Sequence, residues 1–138
     1  MIIKRPVPTY LLIMALLVAI GLPARSAFAE KLPFWYTEYF GDYLWSMMLF
    51  FGFALILRKM GTLKVAIVTI LFTYIIEITQ LFHPQWLEDI RNIKIFGLIL
   101  GYGFLWSDIL AYTLGISTGA LIERFLLQRK DQERKNTT

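Results

Sequence analysis

Few residues in this chain can carry charge from inside an apolar run, and those few are spaced as helix faces. Glu77 stands within a long apolar stretch, with Thr73 one turn before it and Gln80 one turn after, so the three share a face. Asp108 shares a face with Tyr112, Gly115 and Gly119. Asp42 opens a further apolar run, Arg25 closes the first, and Arg91 follows the run that holds Glu77. An ionisable side chain at the centre of a membrane helix costs roughly 2.5–3.5 kcal/mol, so each needs a partner, water or a role. One reading is a polar cavity in which Arg25 and Arg91 pair with Asp42, Glu77 and Asp108. The other is an ion-pair and hydrogen-bond network that orients the helices, with Asp42 serving only as a helix N-cap. Both stay open on the sequence.

Catalytic signatures are absent, and no catalytic residue is assigned. The chain contains no H-E-x-x-H, no G-x-S-x-G and no G-x-x-x-x-G-K-[ST]. His83, the single histidine, precedes Pro84 at the end of an apolar run, two turns beyond Glu77, where it serves as a boundary residue or joins proton transfer. With no cysteine there is no disulfide framework and no thiolate metal site; neither a metal nor a cofactor is expected.

The elements that must hold these residues are membrane spans. Of the 138 residues 57% are hydrophobic, more apolar surface than one small soluble core hides. A span needs roughly 20 apolar residues to cross about 30 Å of hydrocarbon. Four runs qualify, over about 7–23, 42–58, 64–82 and 101–127, predicting an all-α, four-helix polytopic membrane protein of one integral domain. From Trp86 to Leu100, Ile90, Ile93 and Ile95 alternate with Asp89, Arg91 and Lys94, which predicts a short amphipathic or re-entrant segment between the third and fourth spans. Pro23, Pro33 and Gly41 read as the breaks of an external loop. Gly115 and Gly119 form G-x-x-x-G, read as helix packing within the bundle.

Positive charge sets the orientation. Ten Lys and Arg residues flank one side of these spans, among them Lys4, Arg5, Arg58, Lys64 and the basic tail 128–138, against four on the other (Arg25, Lys31, Arg91 and Lys94). Both termini are therefore expected in the cytoplasm. The net charge of +4 reports this topology and contact with anionic membrane lipids, not nucleic acid, for which there is no binding module. Trp35, Trp45, Trp86 and Trp106, with Tyr36, Tyr39, Tyr43 and Tyr102, cluster at the external boundary, where amphipathic rings settle. A rival reading of the amino terminus is a cleavable secretory leader: Lys4 and Arg5, an apolar stretch to Leu22, then Ala27-Phe28-Ala29 before Glu30.

Taken together, Glu77-x-x-Gln80, the stretch Leu87 to Arg91, Leu100-Gly101-x-Gly103-Phe104-x-Trp106-x-Asp108 leading to Tyr112, Gly41-Asp42-x-Leu44-Trp45 and Gly21-Leu22-x-x-Arg25 resemble the bacterial membrane family called domain of unknown function 2809. The resemblance runs from the first span to the end of the fourth, and by including Arg25 it implies that the first span is retained. The placing of Glu, Gln, Arg and Asp is also distantly similar to VanZ-like membrane proteins, although their fuller set of acidic and Asn residues is not reproduced; that likeness implies a cell-envelope setting. The leading expectation is a binding or accessory protein of the bacterial cytoplasmic membrane that engages a lipid-linked or cell-wall ligand at its outer side. A membrane-embedded enzyme using Glu77 and Asp108 as acid and base stays open, as does a small transporter subunit. The transporter would require a homo-oligomer or larger membrane complex.

Reporter fusions after Gly61 and after Gln128 are expected to be cytoplasmic, and a fusion after Pro33 external. An external carboxyl terminus would overturn the charge-based orientation.

Overall fold

The structure is a computed structural model that describes residues 4–101 and 103–137; Tyr102 lies outside the described residues. Helix α1 covers Val7–Gly21 and continues as a 3-10 turn over Leu22–Arg25. Pro8 in its first turn gives up an amide that would have no partner there in any case. A further 3-10 turn spans Ala29–Lys31. A π turn over Tyr36–Phe40 then runs straight into α2, Gly41–Ile56. Helices α3 (Thr62–Thr79), α4 (Gln85–Arg91), α5 (Lys94–Leu100) and α6 (Trp106–Asn136) complete the chain. There is no strand among the described residues. Four of these helical stretches, Val7–Arg25, Tyr36–Ile56, Thr62–Thr79 and Trp106–Asn136, are long and apolar enough to cross a membrane.

Several boundaries differ from the sequence reading for local reasons. Gly41 does not break the chain: it is helical at φ −58°, and its bare Cα lets α2 approach the Ala24 methyl, which a Cβ at Gly41 would meet at 3.1 Å. The second helical stretch thus begins in the aromatic run at Tyr36 rather than at Asp42. The fourth starts at Trp106 instead of Gly101, because Gly101 adopts φ +65°, a conformation that ends α5. Between the third and fourth spans the amphipathic stretch forms two short helices, α4 and α5, divided at Asn92 and Ile93. The basic tail continues α6 as exposed helix to Asn136.

Helix α2 is the centre of the bundle, with α1, α3 and α6 packed around it. Its buried positions Leu44, Met47, Phe50, Phe51 and Ala54 recur at helical spacing, and the last four meet Tyr10, Val65, Ala66 and Ile116 from the other three. The outer faces stay apolar: Leu11, Leu12, Leu16, Leu71, Ile75, Leu110, Leu114 and Leu121 are all exposed. In water such a surface would aggregate; in hydrocarbon it is matched to its solvent.

The α2–α6 crossing is the tightest. A Cβ on Gly115 would lie 2.1 Å from Ser46 Oγ and 2.2 Å from the Tyr43 carbonyl oxygen, and one on Gly119 would lie 2.9 Å from Phe50 Cδ1. Beside this contact Tyr43 donates from its hydroxyl to Thr118 Oγ1 at 2.9 Å. Gly115→Ala is expected to destabilise the bundle by about 1–3 kcal/mol through overpacking, and Gly119→Leu by at least as much. Thermal unfolding in detergent measures both; an unchanged melting temperature would mean that the helices do not pack this closely.

Candidate functional site

At one end of the bundle the close of α1 and of α3 meets the start of α2 and of α6. Asp108 lies in the first turn of α6, where unpaired backbone amides favour negative charge, and Asp42 stands just after the π turn that leads into α2. Glu77 comes from the last turn of α3, with Gln80 as that helix's C-cap. Arg25 ends the 3-10 extension of α1 and forms an ion pair with Asp42.

Contacts run through the whole group. The carboxyls of Asp42, Glu77 and Asp108 lie near enough to act on one another electrostatically, and the Tyr112 hydroxyl lies near Glu77. The Leu105 amide donates to Glu77 Oε1 at 3.1 Å, so Glu77 also receives the free N–H that precedes α6. Gln80 Nε2 donates to Glu77 Oε2 at 3.3 Å and to the Leu100 carbonyl at 2.7 Å, linking α3 to the end of α5. Ser107 Oγ donates to Asp108 Oδ1 at 3.4 Å. Glu77 is fully buried and Gln80, Asp108 and Tyr112 nearly so, while the Asp42 side chain is 15% and that of Arg25 29% exposed. The cluster therefore opens on the Arg25 side. There the guanidinium sits 5.4 Å from the Trp45 ring centroid, in cation–π range.

Arg91 makes its contacts where α3 ends and α4 begins. Its side chain is fully buried; Nη2 donates to the Thr79 carbonyl at 2.6 Å and Nη1 to the Phe82 carbonyl at 2.9 Å, satisfying oxygens that α3 leaves free where it ends. Nη1 also donates to Glu88 Oε1 at 2.5 Å, and His83 Nδ1 lies 2.9 Å from the same oxygen. His83 and Arg91 together hold the Glu88 carboxyl below the usual carboxylate range. Arg91 and His83 thus belong, by these contacts, to the joint between α3 and α4, next to Gln80.

Two concave surfaces flank the polar group. A cavity of about 180 Å³ lies between α1 and α2 under α5, walled by Leu17, Val18, Leu44, Met48, Ile95 and Ile99, with Arg25 as its charged wall residue. On the other side an open groove of about 710 Å³ runs between Trp35, Tyr39, Phe40 and Tyr43 and the Leu110–Leu114 stretch of α6, with Ser107 at its edge. Neither was legible in the sequence, although the aromatic run from Trp35 to Trp45 carried the signal in its helical spacing. The Leu105 amide and the positive φ of Gly101 were equally hidden. A Cβ at Gly101 would meet Gln80 Nε2 at 2.7 Å, so this glycine gives Gln80 its room. Among the described residues no group of three or more His, Cys, Asp or Glu is arranged to hold a metal ion.

The family described as "Protein of unknown function (DUF2809)" matches residues 31–116, more than half of the chain, and the chain belongs to it. The match contains Asp42, Glu77, Gln80, Arg91, Asp108 and Tyr112. It begins after Arg25, so retention of the first span gains no support from it, contrary to the expectation drawn from the resemblance. No solved structure matches the chain.

These contacts separate the two arginines experimentally. Arg25→Ala takes the ion-pair partner from Asp42 and is expected to lower thermal stability, with part of the loss recovered in Arg25→Ala/Asp42→Asn. Arg91→Ala frees helix-end carbonyls, and Glu77→Gln is expected not to restore it. A double-mutant cycle showing coupling of Arg91 to Glu77 and none of Arg25 to Asp42 would reverse these assignments.

Proposed function

We propose that this member of the DUF2809 family is a multi-pass protein of a bacterial cytoplasmic membrane, with both termini inside, that binds an amphipathic envelope molecule at its outer end. The observation that carries this reading is the cavity beside Arg25. Its walls are hydrocarbon from α1, α2 and α5, and its charged residue belongs to the polar cluster, so an apolar chain and a polar head would find matched surfaces next to each other.

The chemistry of the head follows from the donor and acceptor balance. Asp42, Glu77 and Asp108 bring acceptor oxygens, Tyr112 and Gln80 are partly used within the cluster, and Arg25 is shared with Asp42. Such a site favours a head group rich in O–H or N–H donors, as in a lipid-linked sugar or a cell-wall component. The ten-to-four distribution of basic residues puts this end outside. The distant likeness to VanZ-like proteins fits the same setting. In this reading α4 and α5 lie at the outer interface as an amphipathic cover, and Arg91 positions it. A second reading, acid–base catalysis by Glu77 and Asp108, draws on their mutual reach.

Nanodiscs of phosphatidylethanolamine and phosphatidylglycerol carrying a diazirine-tagged acyl chain test the binding reading. Photolabelling is expected to concentrate on peptides holding Leu17 to Leu22 and Leu44 to Met48. Val18→Trp, which fills the cavity, should reduce that labelling, whereas Leu12→Trp on the exposed face of α1 should not. Labelling spread evenly over all exposed apolar faces and indifferent to Val18→Trp would sink it.

A further inference from the structure

The opposite end of the bundle holds a second buried polar cluster that the proposed site does not use. Its centre is Glu123 on α6, fully buried despite standing next to exposed Arg124. Arg5 Nε donates to Glu123 Oε1 at 2.6 Å and Nη2 to Oε2 at 3.4 Å, with both side chains wholly enclosed. The Tyr10 hydroxyl donates to Oε1 at 2.6 Å, and the Thr62 hydroxyl lies in hydrogen-bonding reach. The same guanidinium donates to the Leu57 carbonyl at 3.2 Å and to the Met60 carbonyl at 3.1 Å. One carboxylate and one guanidinium thereby tie together α1, the α2–α3 connection, α3 and α6.

This arrangement bears on the fate of the amino-terminal segment, whose sequence also fits a cleavable leader. A leader can be removed only if the remaining fold does not depend on it for buried charge. Cutting after Ala29 would take away both Arg5 and Tyr10 and leave Glu123 inside the bundle without the cation and the phenol that satisfy it. It would also uncover Phe51, against which the Tyr10 ring packs edge-on at 5.3 Å, and remove Arg25 from Asp42. Two acids, one at each end, would lose their guanidinium partners in one step, and for the fully enclosed Arg5–Glu123 pair that break from one side is strongly destabilising.

We infer that α1 is a permanent helix of the mature bundle and that Glu123 is the acceptor site that retains it, so the Ala27-Phe28-Ala29 pattern is not processed. Arg5 and Tyr10 are the recognition elements of that docking. The inference stands on the Arg5–Glu123 end and needs no ligand to bind at the other, although the cavity proposed there has α1 as one wall.

Intact-mass spectrometry of the full chain, purified from bacterial membranes through a carboxyl-terminal tag, is expected to show residues 5–29 present. Arg5→Ala should shift the detergent melting temperature downward, and Arg5→Ala/Glu123→Gln should recover part of the shift, because the amide removes the unpaired charge. If Arg5→Ala yields no folded protein, Arg5→Lys supplies the comparison: it keeps the charge without the forked geometry and should melt between wild type and a Glu123→Ala variant. A mature chain beginning near Glu30 would overturn the inference. A retained segment whose melting is indifferent to Arg5 and Glu123 would overturn the role given to Glu123.

Discussion

The contact on which the rest of the structure depends is the backbone approach of α6 to α2 at Gly115. Tyr43 and Ser46 face Gly115, and Met47 and Phe50 face Gly119, so the two helices run parallel and start at the same end. Between helices that face lipid, where the hydrophobic drive is lost, close packing at small residues is one source of association. Because the start of each helix is then level with the other, Asp42 and Asp108 come to the same end of the bundle, near enough to act on one another electrostatically. Had either glycine carried a side chain, the helices would separate and the carboxylates with them.

Charge completes what packing begins. In a low-dielectric interior an ion is retained only where a counter-ion or several hydrogen bonds meet it. Helix α1 is mostly exposed, with Tyr10 as its buried residue, yet its two flanking arginines reach carboxylates at opposite ends, Arg5 to Glu123 on α6 and Arg25 to Asp42 on α2. A helix with little packing area is thus held at both tips. The middle of the bundle is apolar, built around Phe50, Phe51, Val65 and Ile116, and separates the two polar ends.

Much of this was legible in the sequence, for a physical reason: apolar runs and helical spacing act locally. The runs mark the four long helices, and the Glu77/Gln80 and Asp108/Tyr112 spacings mark faces that do turn inward. What was not legible depends on which surfaces meet. Glu123 was not singled out in the sequence, because nothing local says that Arg5, 118 positions away, will reach it. Gly41 reads as a break because a glycine in a close helix contact and a glycine in a turn look alike in sequence. The bonds of Arg91 to the Thr79 and Phe82 carbonyls at the end of α3 could not be read from its spacing either.

The placement of Arg91 has a consequence for how the proposed site is reached. By capping α3 and bonding Glu88 it fixes the start of the α4–α5 cover, while Gln80 fixes its end through the Leu100 carbonyl. Between these two ties α5 supplies Ile95 and Ile99 to the cavity wall. The Gln80 amide that holds the end of the cover is the same group that bonds Glu77. A head group that took Glu77 from Gln80 would weaken one of the two ties and leave the other intact.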